Sequence, residues 1–314
     1  MMKQVPDRTN PIPPDGKNLH GRGVKTAVTL LCACVVLSLA SCKDDPKENT
    51  SHPDKAQITL KTDEVVGMEG ITIPDEYMIQ VGDYMETASS VTHLFSELLE
   101  PGNYHVRVYN EPEHIVVSGK MATIAEAARS TNSESEFVNA QPGWLFTGVT
   151  DVTLEKDMDY EFSVVMHQQV RELTFIIEPA GGTTGRIERV EGTLSGVAAT
   201  LDFDTDTHGT PSNVKLPFAK ITSGTDAGKW SATVRLLGVA GEQQKLCAEI
   251  YFTGNTPAPV SLESDLSTEL SDFNKEKNIS LTLDGTLVMT PTAAGFSATI
   301  NGWGHTSGGS VAAH

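Results

Sequence analysis

The sequence predicts an all-β protein: two tandem antiparallel β-sandwiches with Greek-key connections and one short helix. Three observations carry that expectation. From Ala56 onward the dominant hydrophobic period is two, which places alternate side chains on opposite faces of a strand. The alternating runs are short and are separated by turn residues: Pro101-Gly102-Asn103, Gly181-Gly182, Asn255-Thr256-Pro257 and Asp284-Gly285. Helical periodicity is scarce, which favours sandwiches over βαβ units.

In chain order, the first alternating run is Gln57-Ile58-Thr59-Leu60-Lys61. Residues 104–109 (YHVRVY) and 160–164 (YEFSV) continue the pattern. Residues 173–177 (LTFII), 230–236 (WSATVRL) and 246–252 (LCAEIYF) follow, then 279–283 (ISLTL) and 296–300 (FSATI). The one strong helical segment is 261–274, where Leu262, Leu266, Leu270 and Phe273 form a single stripe. Ser261 is placed to cap it, and Glu263 and Asp265 suit its first turn. A weaker helical candidate covers 124–129. The boundary between sandwiches falls at Gln168-Gln169, giving a first domain of 56–169 and a second of 170–303. No internal sequence repeat is evident. Residues 304–314 are small, polar and Gly-rich and read as a flexible tail.

The start of the chain reads as an address. Residues 27–40 (AVTLLCACVVLSLA) are apolar and uncharged, shorter than the roughly 20 residues a spanning helix needs. His20, Arg22 and Lys25 precede them, the layout of a secretory signal. Leu39-Ala40-Ser41-Cys42 then resembles a bacterial lipobox, so cleavage is expected between Ser41 and Cys42, with lipid on the Cys42 thiol and an acylated amine. Two or more acyl chains give stable anchoring where one gives only marginal binding. Residues 1–41 are thus a lipoprotein signal peptide. Within it, 1–23 are Pro-rich and unlike a signal, and read as an annotation extension preceding a start at Val24. Lys43-Asp44-Asp45 resembles the signal that exports certain lipoproteins to the outer face of the outer membrane. Residues 42–55 read as a lipidated polar tether.

The chain carries 23 Lys+Arg against 41 Asp+Glu, a formal charge of −18. Removing residues 1–41 takes away five Lys/Arg and two Asp/Glu, which moves the charge to −21. That balance disfavours a nucleic-acid partner, whose phosphates need basic groups. Cys32 and Cys34 leave with the signal and Cys42 is consumed by lipid, so Cys247 remains alone and no intramolecular disulfide is possible.

The sequence lacks a Gly-x-Ser-x-Gly elbow, a phosphate loop and a His-Glu-x-x-His pair. His93, His105, His114 and His167 stand alone, without a second ligand at i+2 or i+4, and His20 and His52 fall outside the expected folded body. No metal or other cofactor is expected. Asp202, Asp204 and Asp206 alternate like the opening of a calcium loop, but the sixth position is Thr207 rather than Gly and the twelfth is Asn213 rather than Glu, which favours an acidic turn. Asp157 and Asp159 could suggest glycoside chemistry, but such pairs are inevitable in so acidic a chain.

Several stretches in order resemble one family, the FimB-type anchor subunits of type V fimbriae. They are the lipobox with its acidic tether; residues 99–110 (LEPGNYHVRVYN), a Pro-Gly turn feeding a strand that ends in Tyr-Asn; residues 170–177 (VRELTFII); residues 187–199, holding Leu194-Ser195-Gly196-Val197; and residues 296–303, closing on Trp303. The resemblance implies two transthyretin-like sandwich domains in a non-enzymatic lipoprotein of the cell outer membrane, facing the exterior. It implies a membrane-proximal fimbrial subunit that holds the polymer, limits its length and supports cell adhesion. Its partner would be a fimbrial shaft subunit, joined by β-strand exchange. Residues 306–314 offer only Val311 and two Ala as apolar side chains, a poor donor strand, which fits a terminal subunit that accepts one. The alternative is a glycan-binding surface lipoprotein of a polysaccharide-uptake system, for which Trp144, Trp230 and Trp303 would have to form an exposed platform.

Overall fold

The structure, a computed structural model, describes residues 51–126, 137–181, 185–255, 257–293, 295–308 and 310–313. Among these the chain forms twenty-two strands and no α-helix. The first half contains β1 (Ala56–Lys61), β2 (Val65–Met68), β3 (Tyr77–Val81), β4 (Tyr84–Ala88), β5 (Thr92–Leu94) and β6 (Gly102–Tyr109). Three short strands follow, β7 (Ile115–Ser118), β8 (Met121–Ile124) and β9 (Phe137–Val138), and then β10 (Phe146–Leu154), β11 (Met158–Ser163) and β12 (Met166–Gln168). The second half contains β13 (Arg171–Pro179), β14 (Ile187–Asp202), β15 (Thr207–Leu216), β16 (Ala219–Lys220), β17 (Trp230–Leu236) and β18 (Lys245–Phe252). It ends with β19 (Val260–Asp265), β20 (Leu281–Thr292), β21 (Gly295–Ser307) and β22 (Ser310–Ala313).

Every run of period two named above falls mainly in a strand, with only Val164 and residues 279–280 lying outside β11 and β20. Strand β17 alternates between buried and half-buried positions along its whole length, and β13 does so nearly throughout. Buried side chains from a three-stranded sheet, β11-β1-β5, meet those of a seven-stranded sheet, β22-β2-β12-β10-β6-β3-β4. Ile58 and Leu60 on one side and Ile79, Val106 and Val108 on the other are excluded from solvent. In the second half a five-stranded sheet, β16-β17-β13-β20-β21, packs on β19-β18-β14-β15-β9, which β8 and β7 extend alongside β14. Phe175, Leu194, Val234 and Leu283 lie at the centre of that core. Fully burying one such side chain contributes about 1.5–3 kcal/mol.

Most pairings are antiparallel, but the opening strand of each half lies parallel to a strand near that half's end: β1 beside β11 and β13 beside β20. Each opening strand also has an antiparallel neighbour on its other side, β5 and β17 respectively. The halves therefore share a plan that their side chains do not reveal as a sequence repeat. They are also stitched together. Strand β8 pairs with β14, β9 pairs with β15, and β22 returns to pair with β2.

The expected helix over 261–274 is not formed. Val260 and Leu262 point into the core from β19, and only from Leu266 does the chain turn, through successive three- and four-residue hydrogen-bonded turns. Asp265 starts them by accepting from Ser267 N at 3.0 Å and from its hydroxyl. Leu262 satisfies both the helical and the strand period, and its partner Ala248 on β18 decides between them. The weaker helix over 124–129 begins on Ile124, the last residue of β8, and residues 127–129 lie outside the described ones. Residues 304–307, expected in a flexible tail, continue β21, and 310–313 form β22. The last part of the expected tether, 51–55, is joined to the fold, with Asp157 N donating to Lys55 O.

One glycine of the quoted motifs has a backbone reason. Between Ser195 and Val197 the register of β14 on β15 shifts, and the extra residue, Gly196, adopts φ +70°. A Cβ there would also clash with the carbonyl oxygen of Gln243. Gly196→Ala should therefore cost about 2–4 kcal/mol, the sum of a left-handed backbone and an overpacked site. Gly224 has φ +82° but open space around it, so Gly224→Ala should show the backbone part alone. Urea midpoints of the two variants check the difference.

Candidate functional site

The joint between the halves begins at Gln168 and Gln169, both buried. Gln168 accepts from Met68 N at 2.7 Å and donates to the carbonyls of Val170 at 2.6 Å and Lys277 at 2.8 Å. Gln169 donates to the Thr147 hydroxyl at 2.8 Å and accepts from Lys277 Nζ at 2.6 Å. Buried amides must be satisfied, and here the partners come from both halves. The joint is therefore held by hydrogen bonds rather than left as a loose linker.

The turn between β14 and β15 adds an acidic clasp. Asp204 receives a bidentate pair from Arg107 on β6, with Nε at 2.9 Å and Nη2 at 2.6 Å, the planar geometry that favours Arg–carboxylate contacts. Asp202 pairs with Lys120 at 2.6 Å and accepts from the backbone N of Asp204. Asp206 pairs with Lys277. His105 donates to Asp151 through Nδ1 at 2.7 Å and brings Nε2 within 3.2 Å of Asp204. Arg107 holds the Asp204 carboxyl below the usual range, and Lys120 does the same for Asp202. Burial pulls Lys277 down against the opposing pull of Asp206, and burial also pulls His208 down, with Lys277 adding to it.

Each carboxylate of the turn thus faces a different cation. Among the described residues no three His, Cys, Asp or Glu side chains are grouped to share a metal ion. His52, expected outside the folded body, is 8% exposed, and its Nε2 lies 2.8 Å from Asp159. His93 is bound to Glu86 at 2.8 Å, while His114 and His167 are exposed. Sequence reasoning missed the roles of Arg107, Lys120 and Lys277. Arg107 lies 97 residues from Asp204, and nothing local marks the pair.

Ser41, Cys42, Lys43, Asp44 and Asp45 lie outside the described residues. A groove of about 880 Å³ crosses the outer sheet of the second half, lined by Glu191, Thr193, Lys215, Cys247, Glu249 and Glu263. Burial pushes the Cys247 thiol up, which keeps it protonated and a poor nucleophile. The tryptophans form no open row. Trp230 is buried, Trp144 lies beneath Arg235, and Trp303 packs edge-on to Phe175 while donating to the Ser264 hydroxyl. Among the described residues no helix is long and apolar enough to cross a membrane.

What remains is a set of packed, mostly antiparallel sheets with open edges. A model of the fimbrillin-A associated anchor proteins Mfa1 and Mfa2 matches residues 55–307. The chain belongs to this anchor family. Solved structures agree on the fold. An adhesin candidate of Bacteroides ovatus superposes with a TM-score of 0.53 at 15% identity, covering 77% of this chain and 90% of that one. The fimbrial anchor protein Mfa2 of Porphyromonas gingivalis superposes with a TM-score of 0.51 at 13% identity, covering 79% and 98%. No curated protein sequence matches. Membership in this family gives the chain a fimbrial anchor role, in agreement with the resemblance read from the sequence.

Proposed function

We propose that this chain is the lipid-held base of a fimbrium, exported to the outer face of the outer membrane and acting as a structural part rather than a catalyst. The observation that carries the reading is the family match over 55–307, preceded in the same chain by Leu39-Ala40-Ser41-Cys42. Cleavage before Cys42 and acylation of it would fix the amino terminus in the membrane. Lys43-Asp44-Asp45 would direct the lipoprotein outward. Residues 56–169 and 170–303 would act as two sandwich domains, and the clasp and buried glutamines would make them one body under tension.

The filament would attach by strand addition, in which main-chain hydrogen bonds give affinity and alternate side chains give specificity. Deleting the gene in filament-bearing cells is expected to shed the fibres into the medium or to change their length. Normal, cell-bound fibres in the deletion strain would contradict the reading.

A further inference from the structure

We infer that the free edge of β21, at its distal segment Gly295 to Asn301, is where the filament subunit adds its strand. The inference rests on the anchor reading and says which edge of this chain carries it. The hairpin of β20 and β21 runs past the sheet it belongs to. The pairing of β13 with β20 ends at Pro179 and Leu287, whereas β20 and β21 stay paired on to Thr292 and Gly295. Beyond Leu287 the hairpin is a two-stranded ribbon, a structure that is marginal alone and gains from a third strand.

The underside of the ribbon is apolar and progressively uncovered. Leu287 opposite Ile300 and Ala298 opposite Met289 each pair a core side chain with a partly buried one, and Pro291 opposite Phe296 lies beyond them, exposed. Phe296 is 38% exposed. An added strand with apolar side chains at alternate positions would continue this ladder and cover Phe296. The unpaired N–H and C=O groups of the edge select an extended polypeptide as its occupant.

Length and lack of charge together set this edge apart. From Gly285 to Gly304 there are twenty residues without an Asp, Glu, Lys or Arg, in a chain of net charge −18. Edge strands are normally blunted by charged side chains. Of the other edge strands, β11 carries Asp159 and Glu161 and β16 carries Lys220, while β5, β7, β9 and β22 are uncharged but only two to four residues long, too short to template a long added strand. Strand β4 carries Glu86, which is hydrogen-bonded to His93 and Ser96; β19 carries Glu263 and Asp265; β2 is covered by β22. The acidic edge of β19 lies close to β21, through Trp303 and Ser264. The incoming segment therefore has alternating apolar residues and lacks carboxylates.

The test uses the full lipidated chain in filament-bearing cells. A photocrosslinking residue is placed at Ser297 or Thr299, whose side chains lie opposite the apolar underside, and at Thr87 on β4 and Thr150 on β10 for comparison. Adducts with the filament subunit are expected at Ser297 and Thr299 and not at Thr87 or Thr150. Phe296→Glu is expected to release filaments while the chain itself stays in the membrane. Subunit adducts at Thr87 or Thr150, or filaments retained by Phe296→Glu, would overturn the inference and leave the anchor reading standing. Filaments retained when the whole gene is deleted would overturn the anchor reading itself.

Discussion

Replacing Arg171 by alanine is expected to destabilise the chain by about 3–5 kcal/mol, the range for breaking a buried charged contact. Arg171 opens β13 and is 3% exposed. Its guanidinium donates to the carbonyls of Ile279 at 2.6 Å and Phe273 at 2.8 Å, and lies 4.9 Å from the centre of the Phe273 ring. Glu276 lies 3.7 Å away. One side chain thus ties the irregular segment between β19 and β20 to the central strand of its sheet. Alanine would leave those carbonyls buried without donors and would open a cavity against Phe273. Lysine keeps the charge but not the planar fork, so Arg171→Lys should fall between alanine and the natural residue. For a chain of this size a loss of this order lowers Tm by on the order of 10 °C. Thermal unfolding followed by circular dichroism measures it, and an unchanged Tm for Arg171→Ala would show that the segment is held by packing alone.

The acidic clasp is expected to fail in acid. Arg107 lowers the folded pKa of Asp204, and Lys120 lowers that of Asp202. A carboxyl whose folded value is depressed contributes stability that is complete above its unfolded value, about 3.9, and is lost as pH falls through the lower folded value. His208 acts in the same direction at a higher pH. Burial lowers its folded value, so protonation favours the unfolded chain from about 6.5 downward. His52, whose folded value is raised against the pull of burial by the Lys55 carbonyl and Asp159, acts with the opposite sign in that range, so the net acid loss is expected to be steep below about 4. Arg107→Ala is expected to cost about 2–3 kcal/mol at neutral pH, because Asp204 is then left with its main partner missing at 14% side-chain exposure. It should also make the steep acid limb shallower, since Asp204 loses the largest cause of its depressed value. Urea unfolding of the natural chain and Arg107→Ala between pH 3 and 7 checks both points. Parallel curves for the two proteins would show that the clasp does not contribute.

Much of the fold was legible because alternation is a local signal. The residues of β13, β17 and β18 announce both a strand and its buried face. The helix error arose where two periods coincide on Leu262, and only the neighbouring strand β18 resolves it. The stitches were not legible because β8 and β9 have four and two residues, too few to show a period. Nor was the clasp. Asp202, Asp204 and Asp206 drew notice as possible metal ligands, but their cations come from distant parts of the chain, and spacing along a sequence carries no information on such pairs. His52 was misplaced for the same reason, since its partner Asp159 is 107 residues away.

The tether itself is best tested at Cys42. The chain with Cys42→Ala, placed behind a cleavable signal that is not of the lipoprotein type, is expressed in filament-bearing cells lacking the natural gene. Filaments and this chain are then sought together in the culture medium and in the membrane fraction. Recovery of both from the medium, as one complex, is the expected result. Filaments that stay on the cells, or a chain that stays in the outer membrane without its cysteine, would contradict a lipid-held base.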